Sequence, residues 1–248
     1  MFGSNPSEHE TKEGSSKYKA LGDWRASCQA LLKDCAAIFG ELPLEERIQQ
    51  LCIMLGAPKA TNHPIPRETA AQNVLHMRRL LETTDILTEE AANLSEDKKA
   101  AIIDSFLPLY RAIVSLAETN LGLSHSDTQQ TSQLAPSFSL DMGVIGPLYE
   151  VSRHCRNPTL RRKIVHLLRM SNRQEGLLNS ITYARIVETI IDIEETGLRD
   201  VKESRDIPLR SRISQHCLSF DVKRLKHTIS YKPLVGDAKA FFHRDITR

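Results

Sequence analysis

Cysteine is scarce and poorly placed for metal or disulfide work. The 248-residue chain holds five, Cys28, Cys35, Cys52, Cys155 and Cys217, an odd number with no C-x-x-C pair. That pattern argues against a disulfide framework and a structural zinc site, and buried free thiols are the plainer reading. There is no H-x-x-x-H pair either, and His154 beside Cys155 is not a ligand pair, because adjacent helix positions point about a hundred degrees apart. Neither a protein-held metal nor a cofactor is expected. A surplus of one charge is also missing: 33 Lys plus Arg face 31 Asp plus Glu, a net charge of +2. The chain as a whole is therefore not drawn to nucleic acid or to a membrane surface, and any electrostatic binding has to be local. No run approaches the roughly 18 to 20 apolar residues of a membrane span, and "MFGSNPSEHETKEGSSK" has no apolar signal-peptide core. The expectation is an intracellular protein, nuclear or cytoplasmic and not secreted. Finally, G-x-S-x-G, H-E-x-x-H, G-x-G-x-x-G and a phosphate-cradling glycine loop are all absent, which excludes those named chemistries only.

What is present is helical periodicity. Residues 1 to 17 are polar and bury too little to offset the entropy of ordering, so they read as a disordered tail. Residues 18 to 248 read as a single helical domain, long enough for one large core. Leu21, Trp24, Cys28, Leu31, Leu32, Cys35, Ile38 and Phe39 recur at three-and-four spacing before Gly40. Pro43 opens a second helix that stops at Gly56, and the two make an antiparallel pair. "APKATNHPIPR" is a loop. A third helix follows through Ala70, Val74, Met77, Leu81 and Leu87. A fourth is capped by Ser95, passes Pro108, where it should kink or split, and ends before Gly122. "LSHSDTQQTSQLAPS" is a surface loop. Three more helices are expected near 143–155, 158–171 and 179–196, the last with a wide apolar face. After an irregular stretch, "LSFDVKRLKHTISY" alternates like a β-hairpin. The fold expected is mainly α, an irregular bundle of about seven helices with a C-terminal β-hairpin and no fixed-period repeat.

Two groups of residues invite a functional reading. In "CRNPTLRRKIVHLLR", Leu160, Ile164, Leu167 and Leu168 form a buried side, with Arg162, His166, Arg169 and Arg173 opposite, provided the helix runs that far. Arg161 and Lys163 flank that stripe, and Arg153 and Arg156 extend it. Phosphates are one possible partner, with affinity falling as salt rises. A protein or ligand surface is another. The plainest reading is a solvated face answered by Glu188, Asp192, Glu194 and Glu195 of the next helix. The second group, Asp141, Glu150, His154 and Glu175, offers acid–base chemistry if a cavity brings them together. Capping and ion pairing explain these residues equally well.

The stretch "PSFSLDMGVIGPLYEVSRHCRNPTLRRKIVHLLRMSNRQEGLLNSITYARIVETIIDIEE" resembles the C-terminal regulatory region of fungal transcription factors of the binuclear zinc-cluster type. The phrase from Pro136 to Tyr149 carries the likeness, with Cys155 to Arg162, Leu167 to Arg169, Arg173 to Gly176 and Ile193 to Glu195. "FLPLYRAIVSLAE" looks like that region's preceding helix and "SFDVKRLKHTISY" like its closing hairpin, so the resemblance spans roughly residues 68 to 232. In that family six cysteines hold two zinc ions and read DNA. Here no cysteines are so spaced, and no sequence-specific DNA contact is expected. The resemblance implies a regulator of transcription that acts through other regulatory proteins or a small metabolite, in a setting such as secondary-metabolite biosynthesis. The alternative is a helical fold turned to small-molecule isomerase or cyclase chemistry. A mainly apolar cavity with a convergent Asp, Glu or His favours the enzyme, and a filled core with an exposed apolar groove favours the interaction protein.

Overall fold

A computed structural model describes residues 67–123, 134–140, 143–221, 226–236 and 241–246, with the isolated positions Ala26, Ala30, Glu46 and Gln50. The expected tail lies outside the described residues, and of the first two expected helices only those four positions, all helical, are described. Helix α1, Arg67–Glu90, buries Met77, Leu80 and Leu87 along one side. Ser95 then leads into α2, Glu96–Ser105, where Glu96 and Asp97 in the first turn complement the helix dipole. Pro108 sits in the first turn of α3, Leu107–Leu121. Its ring has no N–H to bond back to Asp104 and would crowd that carbonyl, so the chain bends by 44° at Phe106. One expected helix thus becomes two. Among the described residues there are six α-helices, one more than the five expected beyond residue 67. The αL backbone of Gly122, φ 68°, closes α3.

Strand β1, Ser137–Ser139, precedes α4, Ile145–His154, and α5, Pro158–Ser171. Asn157 caps α5 by accepting from the Leu160 N–H at 3.0 Å, with Pro158 in the first helical position. Strands β2, Arg173–Glu175, and β3, Leu178–Asn179, form a small sheet with β1, in the order β1-β2-β3. This sheet was not expected, and strands of two or three residues are too short to show a period. Helix α6, Ser180–Glu194, buries Ala184, Ile186, Val187, Ile190 and Ile191.

The principal core gathers the apolar faces of α1 to α6, with Phe106, Ile113, Ile145, Leu148, Ile164 and Leu168 fully enclosed. Two short 3₁₀ turns, Ser204–Asp206 and Leu209–Ser211, then deliver the chain to β4, Ile213–Asp221. The hairpin of β4 with β5, Lys226–Pro233, is antiparallel, pairing Leu218 with Ile229 and Asp221 with Lys226. A third strand, β6, Phe242–Ile246, completes it as a sheet rather than a hairpin. A smaller apolar cluster, Ile186, Ile190, Ile213, Ile229 and Ile246, seats this sheet on α6. Among the described residues no single helix is long and apolar enough to cross a membrane.

Candidate functional site

The basic stretch divides into three layers that the sequence does not separate. Arg162, His166 and Arg169 are exposed on α5. Arg162 Nη2 lies 2.6 Å from Glu195 and Arg169 Nη2 2.6 Å from Glu188, while half-buried Lys163 reaches Glu118 at 2.8 Å. Arg153 pairs with Glu150 at 2.8 Å on the same turn of α4. Arg173 does not continue the stripe. Helix α5 ends at Ser171, Asn172 turns into the αL region, and Arg173 enters β2 with Nε 3.0 Å from Glu175 Oε1. The largest departures are Arg161 and Arg156, which belong to the interior at 0% and 6% exposure.

Those two guanidinium groups share one carboxylate. Arg161 Nη1 lies 2.7 Å from Glu194 Oε2, and Arg156 Nη2 lies 2.9 Å from Oε1. The Ile213 N–H also donates to Oε1 at 2.8 Å, while Arg156 donates to the Ile213 and His154 carbonyls at 3.0 and 2.8 Å. The triad thus binds the C-terminal ends of α4 and α6 to the first residue of β4. Burial alone would raise the Glu194 carboxyl pKa, but Arg161, Arg156 and the Ile213 N–H outweigh it and hold the group below its ordinary value. Two cations on one anion leave a buried unit of positive charge. Arg156 Nε and Arg161 Nε and Nη2 are buried with no protein acceptor.

Beside the triad is a cleft of about 180 Å³ between the helical body and the C-terminal sheet. Its lining is mainly apolar, with Ala100, Ile103, Ile190, Ile213 and Leu234, and carries Arg153, His154, Arg156, Arg212 and His216 among them. Arg212 is anchored to Asp104 at 2.8 Å and to the Ser204 and Ile207 carbonyls. The Tyr149 hydroxyl bonds His216 Nε2, and the Tyr149 ring stands edge-on to Tyr183 at 4.7 Å. Burial, then Arg153 and Arg156, push the His154 pKa down to about 4. Burial, then Arg153, do the same for His216, against a smaller opposing pull from Glu194. Both rings are neutral at pH 7. Among the described residues the His154 ring makes no protein hydrogen bond.

The quartet Asp141, Glu150, His154 and Glu175 does not converge. Asp141 lies outside the described residues. Glu175 is buried at the N-terminus of α4, where it accepts from the N–H groups of Gly143, Val144 and Ile145 at 2.9, 3.0 and 3.1 Å. His154 ends the same ten-residue helix, roughly 14 Å away by helical rise. Glu175 is therefore a side-chain cap that satisfies three orphan donors. Glu150 is committed to Arg153. Among the described residues no group of His, Cys, Asp and Glu is arranged to hold a metal ion. Sequence reading missed Arg212, His216 and Tyr149 altogether, because they reach the cleft from separate elements. Arg161 did leave a signal, being three and seven residues from the buried Ile164 and Leu168. Comparison with family models, with curated proteins and with solved structures returns no match.

Proposed function

We propose that this chain is a regulatory-type protein that acts by binding a small metabolite, in keeping with its resemblance to the regulatory region of fungal zinc-cluster transcription factors. The observation that carries this reading is the cleft, whose mainly apolar lining holds a small set of polar and cationic side chains. Its size favours a ligand little larger than a single ring, since a cavity of about 150 Å³ accommodates benzene. The exposed arginines of α5 speak less for DNA, because Arg162 and Arg169 are already answered by α6 acids. A regulatory partner protein and a nuclear setting belong to the same proposal.

The isomerase or cyclase alternative draws on the same cleft, whose mainly apolar lining with His154 and His216 meets the criterion set for an enzyme, and what counts against it is the basicity of those imidazoles. General catalysis at neutral pH works best with a pKa near 7. Imidazoles held near 4 are weak bases, and the nearby carboxylate of Glu194 is engaged by two arginines. Binding is the role that both readings share.

The test is a thermal-shift screen of the purified chain against small metabolites, beside a salt-varied assay with random-sequence duplex DNA. A ligand at a hundred times its Kd adds about 2.7 kcal/mol, which raises Tm by roughly 5–10 °C for a chain of this size. Ala100→Leu, which fills the cleft, should abolish that shift. DNA binding at physiological ionic strength that weakens steeply with salt, or shifts indifferent to Ala100→Leu, would overturn the reading.

A further inference from the structure

We propose that the cleft takes a small organic carboxylate, its anionic end against Arg153, His154 and Arg156 and its hydrocarbon body on Ala100, Ile103, Ile190, Ile213 and Leu234. The inference rests on the metabolite-binding reading and names its ligand class.

Three observations on different atoms converge on it. The first is charge. Among the lining residues Lys99, Arg153, Arg156 and Arg212 face only Glu96 and Glu194. Counting the outer partners Glu150, Asp104 and Arg161 still leaves five cations against four anions. The surplus sits where it is most costly, since Glu194 balances only one of two buried guanidinium groups. An uncompensated buried charge costs several kcal/mol, and an anion in the adjoining cleft relieves it. The second is donor supply. Arg153, a half-exposed guanidinium, lines the cleft and, among the described residues, the neutral His154 ring has no hydrogen-bond partner, while Arg156, whose unpaired Nε is closed off, adds its charge rather than a donor. Charge-assisted hydrogen bonds from such donors to a carboxylate are roughly twice as strong as neutral ones. The third is the apolar share of the lining. Inorganic phosphate would leave it unused, whereas a short aliphatic or single-ring body covers it within the cavity volume.

The lowered imidazole basicity agrees with this field: His154 is depressed by burial and then by Arg153, Arg156 and His216, and an arriving anion opposes those cations. The groups facing His154 and His216 are Arg153, Arg156 and Glu194, with Tyr149 bonded to His216. A bound carboxylate therefore raises both pKa values.

The experiment is NMR of the full chain, following the imidazole Cε1–H signals of His154 and His216, assigned by His→Gln variants. Ligand probes are benzoate, isovalerate and hexanoate, each with its primary amide, and inorganic phosphate. The carboxylates should shift both signals saturably, binding at least tenfold more tightly than their amides, with phosphate inert at equal concentration. Arg153→Gln, at a half-exposed position, should weaken carboxylate binding tenfold or more and leave the amides unchanged. Raising of the His154 titration midpoint by saturating carboxylate is the signature that a merely structural arginine would not give. Amides binding as tightly as acids would overturn the carboxylate preference and leave the metabolite site standing. Phosphate binding as well as the acids would reduce the site to a plain anion hole. Silence from every probe would sink the preference and the metabolite site together.

Discussion

Replacing Glu194 by glutamine tests the reasoning most directly, because the change keeps the side chain's size and removes only its charge. In the native protein the carboxylate is fully enclosed, with Arg161 at 2.7 Å, Arg156 at 2.9 Å and the Ile213 N–H at 2.8 Å. In E194Q two guanidinium groups stay buried without a counter-charge, and the amide turns an NH₂ toward one of them. Breaking a buried pair in this way costs about 3–5 kcal/mol, a large part of the roughly 5–15 kcal/mol that holds a domain together. The expected Tm loss is roughly 6–20 °C at this chain length, with the urea midpoint falling to match. The triple variant Arg156→Met, Arg161→Met, Glu194→Leu should recover most of that loss, since well-packed apolar groups commonly replace a buried ion cluster without penalty. Acid provides the second readout. The folded Glu194 pKa lies below its unfolded value, so its stabilisation is present above the ordinary carboxylate range and is lost as pH falls through the folded value. E194Q lacks that part of the acid limb. A loss under about 1 kcal/mol, or acid limbs that superimpose for wild type and E194Q, would refute the account of the triad.

Four further outcomes follow from the same geometry. Gly143→Ala should destabilise by about 1–3 kcal/mol, measured by urea unfolding, because a Cβ there would sit 2.4 Å from Glu175 Oε1 and displace the cap of α4. Glu175→Ala should cost about 2–3 kcal/mol through three lost charge-assisted bonds, whereas catalytic importance would leave stability untouched. Arg169→Ala, at 53% side-chain exposure, should cost less than about 1 kcal/mol, in contrast to Arg161→Ala nearer the start of the same helix; equal losses would mean the burial assignment is wrong. Because His154 and His216 titrate near pH 4 in the folded chain and near 6.5 when unfolded, the unfolded state binds more protons in between. Stability should therefore decline as pH falls from about 6.5 toward 4, and the double variant His154→Gln, His216→Gln should flatten that decline in chemical unfolding.

Most of the helical architecture is legible from spacing, because a helix that packs on one side repeats its apolar residues every three or four positions. The stripe Leu160, Ile164, Leu167, Leu168 lies buried as the period requires, and Asn157, Pro158 and Gly122 mark ends for steric reasons that act within a few residues. Legibility fails where the deciding interaction is long-range. Arg161 and Glu194 each stand on an apolar stripe, and only their pairing across two helices turns a conflict with the period into a stable interior. Arg156 and Arg212 lie outside regular helix, so no period exposes them. Strand β6 alternates Phe242, Arg244 and Ile246, but only Ile246 is buried, which blurs the pattern that a two-residue repeat would give. Of the expected acid–base quartet, Glu150 is recruited by Arg153 on its own turn and Glu175 by the distant N-terminus of α4. Sequence proximity had placed Glu175 near His154, and the length of α4 separates them.

The identity of the buried cations explains why charge can serve assembly here without serving recognition of nucleic acid. Arg156 addresses three acceptors in three places: the His154 carbonyl at the end of α4, the Glu194 carboxylate on α6 and the Ile213 carbonyl at the start of β4. A planar guanidinium spreads its donors widely enough to do this, whereas a lysine ammonium concentrates them at a single point. The C-terminal sheet consequently docks through the small apolar cluster around Ile190 and Ile229 and through a polar clamp with defined geometry. Apolar contact alone tolerates sliding, but the paired bonds at Ile213 fix the register in which β4 meets α6. The cleft lies at that same junction, and Arg156, Glu194 and Ile213 are all part of its lining. The arginines that looked most like a binding stripe are the ones answered at the surface by α6, and the arginines with donors to spare are those that built the interior around the cleft.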